Sequence, residues 1–191
     1  MPQPHVIVIG GPNGAGKSTI APVVLRDYLA IHDFVNADQI AVGLSAFDPG
    51  SAAFEAGRIM LQRLQELAAE SKSFAFESTL ASRSFFVFLT KLKASGYRVD
   101  LCYVWLNSAA LAQERVALRV RMGGHAIPPD VIERRYARSV RNFLSLYLPI
   151  ADRWKVFDNS NPSHPQLVAH GGADLTPTIH ETTSWNAIRS I

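Results

Sequence analysis

Cysteine is nearly absent from the sequence: Cys102 is the only one in 191 residues. No intramolecular disulfide can form, which excludes the small secreted scaffolds that depend on them. Cys102 lies in the apolar run Leu101–Leu106, a setting that predicts a buried, unreactive thiol. No apolar stretch approaches the roughly 20 residues needed to cross a bilayer. Nor does the N-terminus carry a basic patch followed by an apolar run of about 7–15 residues, so no signal peptide is expected and the cytoplasm is the expected compartment. The six histidines include no pair at zinc-ligand spacing. Charge is scarce too: charged residues make up 18 % of the chain and the formal net charge is +3. That bias suits a small anionic substrate and is too weak to call for nucleic acid. Internal repeats and low-complexity tracts are also missing.

What is present is a large apolar fraction, 48 %, in a length that suits one domain over residues 1–191. His5–Gly10 is a short, largely β-branched run and reads as a buried strand of a parallel sheet. A glycine-rich turn follows, then a helix from Lys17 to about Ala30. Phe34–Ala37 and Ser73–Phe76 read as two further strands, ending at Asp38 and Glu77. Between them Phe54, Leu61, Leu64, Leu67 and Ala68 recur at helical spacing. A helix over about 84–94 stops at Ser95-Gly96, and Tyr97–Leu106 is the longest strand. Helices over about 109–121 and 129–146 flank Met122–Pro128, and a lid is expected at about 115–135. Arg153–Asp158 and Gln166–Ala169 read as a hairpin at the sheet edge, about 153–170. A short helix is expected around Trp185. The alternation predicts a three-layer α/β fold with a mainly parallel central sheet and a small helical lid.

The turn itself is specific. Gly11-Pro12-Asn13-Gly14-Ala15-Gly16-Lys17-Ser18 fits G-x-x-x-x-G-K-[ST] at every fixed position, with an apolar strand before it and a helix after it. In such a loop, successive backbone N–H groups turn inward around phosphate oxygens, and the helix N-terminus points its partial positive charge at the same anions. The motif predicts a P-loop NTPase fold that binds ATP with Mg²⁺. Lys17 would neutralise the β and γ phosphates, Ser18 would ligate the metal, and Thr19 adds a second hydroxyl.

Ligands of doubly wound sheets bind beyond the carboxyl ends of the strands, and Asp38 and Glu77 both fall there. Asp38 suits a carboxylate that orients an attacking hydroxyl and takes its proton, or a helix N-cap. Glu77, followed by Ser78 and Thr79, suits substrate binding, a water-mediated hold on Mg²⁺, or a helix start. Arginines gather late in the chain: Arg115, Arg119 and Arg121, then Arg134, Arg135, Arg138 and Arg141. Arg115 and Arg119 share a predicted helix face leading into Gly123-Gly124, which suits a lid over a transferring phosphoryl group. Arg119 is the first candidate for phosphate contact and Arg121 the second. His125 either touches substrate or ends the turn, and Arg58 either faces the acceptor or pairs with Glu55. These residues describe a small-molecule kinase. They leave open other hydroxyl acceptors, such as an antibiotic or a nucleic-acid 5′ end, and an NTPase switch acting on a protein partner.

Together the motifs resemble the zeta-toxin family of P-loop kinases. The matching pieces run in order: G-G-P-N-G-A-G-K-S-T at Gly10–Thr19, N-A-D-Q-I-A at Asn36–Ala41, E-A-G-R at Glu55–Arg58, F-E-S-T-L at Phe76–Leu80 and G-Y-R-V-D-L at Gly96–Leu101. R-M-G-G-H-A-I-P at Arg121–Pro128, R-R-Y-A-R-S at Arg134–Ser139 and F-D-N-S at Phe157–Ser160 complete the set. The resemblance implies ATP-dependent phosphorylation of the 3′-hydroxyl of the amino sugar in UDP-N-acetylglucosamine. It implies Lys17 as the P-loop lysine, Asp38 as the general base, Glu77 and Thr79 as an acid and hydroxyl pair at the sugar-nucleotide site, and Arg119 as a phosphate contact. The sequence departs from the family pattern at His125 and Ala81, where the toxins carry arginine. Its first strand begins almost at once, without the N-terminal extension of plasmid-borne toxins, so an antitoxin partner is possible but not assumed.

Overall fold

The computed structural model describes residues 3–26, 31–124 and 126–191. Strand β1 (His5–Gly10) carries Val6, Val8, Ile7 and Ile9, all at most 1 % exposed. Successive strand residues face opposite ways, so burial of every one requires cover on both faces of the sheet. The other strands are β2 (Asp33–Val35), β3 (Phe74–Ser78), β4 (Arg98–Trp105), β5 (Arg153–Asp158), β6 (Gln166–Gly172) and β7 (Leu175–Ile179). They form one seven-stranded sheet in the order β2-β3-β1-β4-β5-β6-β7. Pairing is parallel from β2 through β5 and antiparallel at β5–β6 and β6–β7.

Helices join the parallel strands: α1 (Lys17–Arg26), α2 (Ala37–Leu44), α3 (Ala53–Ala69), α4 (Ser84–Ala94), α5 (Ala109–Arg121) and α6 (Pro129–Asn142). The end of the first predicted helix, residues 27–30, lies outside the described residues. Beyond α6 the backbone widens into a π-helical stretch, Phe143–Tyr147, followed by the short α7 (Leu148–Ile150). That widening seats Phe143 flat on Tyr103 of β4, with ring centroids 4.0 Å apart. It also lets the Tyr147 hydroxyl donate to the Ser82 carbonyl at 2.6 Å. Tyr147→Phe should lower the unfolding free energy by about 0.5–1.5 kcal/mol, the net worth of one such bond, as read by urea denaturation.

The hairpin predicted at about 153–170 is the pair β5–β6, but it is not the edge. β7 adds outside it, and α8 (Thr182–Arg189) returns with Trp185 stacked on Trp154, ring centroids 5.8 Å apart. Every residue of β7 is exposed, so the segment has no burial pattern for a sequence reading to find. Cys102 is buried, as its surroundings predict, and burial pushes its thiol up to about 12. Among the described residues no helix is long and apolar enough to cross a membrane.

This strand order places β3 between β1 and β2, with Ile9 level with Glu77 and Val35 level with Phe76. The carboxyl ends of all three strands therefore open side by side, and the glycine-rich loop leaves from the β1 end of that row, next to β3.

Candidate active site

The loop after β1 bends as its glycines allow. Gly16 lies at φ +81°, a left-handed conformation that side chains with a Cβ rarely adopt. Lys17, the first residue of α1, is 9 % exposed, and its Nζ donates to the Pro12 carbonyl at 3.0 Å. The ammonium thus bridges back over its own loop and 4.0 Å from Glu77 Oε1. Burial pulls its pKa below the ordinary lysine value, while Glu77 and Asp38 oppose that shift.

Glu77 is the hub of this end of the sheet. Its Oε2 accepts from Ser18 Oγ at 2.8 Å and from Asn36 Nδ2 at 2.7 Å. A hydroxyl and a carboxylate are thereby set together beside the loop lysine. These are hard oxygen donors of the kind Mg²⁺ takes, alongside phosphate oxygens, when it is held by only one or two side chains. Glu77 is the penultimate residue of β3, one strand over from the loop.

Asn36 has a second task. Its Oδ1 accepts from the Asp38 and Gln39 amides at 2.8 and 3.4 Å, making Asn36 the N-cap of α2. The capping alternative for Asp38 is therefore corrected: Asp38 sits inside the first turn and its carboxylate is 72 % exposed. Across the cleft, Arg119 Nη1 approaches Asp38 Oδ2 at 3.4 Å. In water, such a half-exposed pair contributes about 0–1 kcal/mol.

Arg115 and Arg119, four residues apart on α5, serve different places. Arg115 Nη2 donates to the Ser160 carbonyl at 2.9 Å, whereas Arg119 reaches Asp38. Gly123-Gly124 ends α5 in a Schellman cap: the Gly123 amide donates to Val120 and the Gly124 amide to Arg119, both at 2.9 Å. Gly123 takes φ +88° to do so, which pins the backbone from which Arg119 projects. Arg121 is exposed and lines neither cavity described below. His125 lies outside the described residues.

One cleft of about 710 Å³ joins these groups. Asn13, Lys17, Asp38, Glu77, Arg58, Thr79, Arg135 and Arg138 all line it, together with Phe54. Arg58 also forms a two-pronged ion pair with Glu55, at 2.6 and 3.1 Å, the pairing that was one of its two readings. Thr79 caps the turn below it by accepting from the Ala81 amide at 3.4 Å. A side notch of about 200 Å³ opens past Asp38 and Arg119 toward Val42 and Pro49. Sequence reasoning singled out neither Asn36 nor the pairing of Ser18 with Glu77; an asparagine directly after a short apolar strand and two residues before an acid was the available signal for a helix cap.

The sequence profile described as Zeta toxin matches residues 50–164. A protein of Haemophilus influenzae (strain ATCC 51907 / DSM 11121 / KW20 / Rd), described as an uncharacterized protein, is 31 % identical over 136 residues, which is 70 % of this chain and 94 % of that one. Among solved structures, the AvrRxo1-ORF1:AvrRxo1-ORF2 complex superposes with a TM-score of 0.77 at 15 % identity, over 97 % of this chain. This chain spans 63 % of the length of that one. The same pair has been crystallised with ATP. The PezAT chromosomal toxin-antitoxin system of Streptococcus pneumoniae gives a TM-score of 0.65 at 17 % identity, over 100 % of this chain and 78 % of that one. At such identities the likeness is one of fold.

Proposed function

The chain belongs to the zeta-toxin family, and from that premise we propose that it is an ATP-dependent kinase that transfers the γ-phosphoryl group to a hydroxyl of UDP-N-acetylglucosamine or a related sugar nucleotide. The observation that carries this reading is the continuity of the cleft from Lys17 and Glu77 to Asp38 and the arginines beyond. A simple hydrolase needs only the groups beside the loop.

The chain's own residues divide the work. The loop amides and Lys17 hold the triphosphate and balance its charge. Ser18 and Glu77 would hold Mg²⁺, which supplies charge neutralisation between the β and γ phosphates when bound. Asp38 receives the acceptor hydroxyl and takes its proton as the oxygen attacks. Arg119, already beside Asp38, is placed to meet the charge on the transferring group. Arg135 and Arg138 offer guanidinium forks to an anionic acceptor such as a diphosphate-linked sugar. The crystallisation of the AvrRxo1 pair with ATP supports the choice of nucleotide by likeness.

Removing the acid at the metal side has a specific consequence. Glu77→Gln keeps the shape and loses the charge, so the Mg²⁺ concentration for half-maximal rate should rise by about 10–100-fold. A magnesium titration of the two proteins at fixed ATP reads this directly. Half-saturation unchanged in the variant would remove Glu77 from the metal.

The acceptor is tested by incubating the protein with Mg²⁺, ATP and a panel of sugar nucleotides, an aminoglycoside and a 5′-hydroxyl oligonucleotide, then reading each by mass spectrometry. Addition of one phosphoryl group to a sugar nucleotide is expected. Phosphate gained only by another member of the panel would move the acceptor, and ADP release with no phosphorylated product would favour the NTPase switch.

A further inference from the structure

The motif F-D-N-S, at Phe157–Ser160, plays no part in the chemistry described so far, yet it touches the nucleotide loop. Asn159 follows the last residue of β5 and is 4 % exposed. Its Nδ2 donates to the Ala15 carbonyl at 2.7 Å, across 144 residues of chain. The same nitrogen fills the space beside Gly16, where a Cβ would come within 2.5 Å of it. Its own amide is fixed by the Trp105 carbonyl at 3.0 Å. The side-chain oxygen, Oδ1, is buried with no hydrogen-bond partner among the described residues.

The neighbours of Asn159 hold it in place. Asp158 Oδ1 accepts from the Ser160 amide at 2.8 Å, and its Oδ2 accepts from Ser184 of α8 at 3.0 Å. Ser160 Oγ accepts from the Asn107 amide, and its carbonyl accepts from Arg115. The clasp thus ties the glycine loop to the start of α5 and to the C-terminal helix.

We propose that Asn159 is a positioning residue for the triphosphate: it anchors the Ala15 peptide from behind so that the loop amides stay turned toward phosphate. A peptide has one carbonyl and one amide on opposite sides. Pinning the Ala15 oxygen to Asn159 points the following N–H, that of Gly16, the other way, into the loop. Without the anchor, the Ala15–Gly16 peptide can rotate, because Gly16 tolerates many backbone conformations. This role rests on the reading of the loop as a nucleotide site and concerns affinity for phosphate, not identity of the acceptor.

The test is equilibrium binding of ATP and of adenosine to the full chain, with Mg²⁺ present, for the wild type, Asn159→Ala and Asn159→Asp. The alanine variant removes the anchor. The aspartate variant keeps the shape but turns a second acceptor on the Ala15 oxygen. Both should bind ATP about tenfold more weakly or worse, the loss expected for one hydrogen bond of ordinary net strength, while adenosine affinity stays as it was. A merely structural residue would weaken both ligands together or neither. Either folded variant that binds ATP as tightly as the wild type would overturn the proposal. So would loss of fold in both, since Asn159 would then hold the domain and not the loop. A wild type that fails to bind ATP would instead remove the nucleotide reading itself.

Discussion

Asp38→Asn should slow phosphoryl transfer by about 10²–10⁴-fold and leave ATP binding and thermal stability near those of the wild type. The amide matches the carboxylate in shape and can still orient a hydroxyl, but it cannot take its proton. Stability is spared because the cap of α2 is built by Asn36, not by Asp38. The pair with Arg119 is exposed on both sides, so its loss costs little. Single-turnover rates with ATP bound beforehand separate this effect from any change in nucleotide affinity. A variant that transfers at the wild-type rate would show that Asp38 does not take the proton.

Lys17→Met should have an effect of similar size by another route, cutting the rate by about 10²–10³-fold. Methionine retains the length of the stem and its packing and removes the one ammonium held at the loop. Here the fold faces a larger demand, because the Glu77 carboxylate is 11 % exposed and loses its nearby positive charge. Glu77 keeps its hydrogen bonds from Ser18 and Asn36. At 4.0 Å the ion pair is also long, so the melting temperature should fall only slightly. Transfer within threefold of the wild type would show that the loop lysine does not contribute to the chemistry.

The glycine-rich loop was legible because its chemistry is contiguous: eight neighbouring residues supply the amides, the lysine and the hydroxyl. Asp38 and Glu77 were legible as cleft residues for a related reason, since each lies at or just beyond the carboxyl end of a short apolar strand and strand ends collect ligands. What the linear pattern hides is partnership. Nothing in the spacing of Ser18, Asn36 and Glu77 announces that they meet, because the meeting depends on β3 lying between β1 and β2. The shared helical face of Arg115 and Arg119 was legible too, but their long side chains diverge to Ser160 and Asp38. Gly123-Gly124 reads in the sequence as a turn, and the bonds from its amides to Val120 and Arg119 show it to be a helix cap. Strand β7, Leu175–Ile179, is exposed throughout, and the proline at its centre, Pro177, weakens its strand signal.

The family and the fold meet in one arrangement: a phosphate loop, an acid beside its serine, and a second acid further along the same cleft. In the proposed function Asp38 is the junction between donor and acceptor, and the central claim is that a phosphoryl group crosses there to a sugar nucleotide. Transfer of label from γ-labelled ATP to UDP-N-acetylglucosamine, followed with Mg²⁺ in wild type and Asp38→Asn side by side, tests it most directly. Label should appear on the sugar nucleotide with the wild type and nearly vanish with the variant. Label that leaves ATP only as free phosphate, at equal rates in the two proteins, would contradict it.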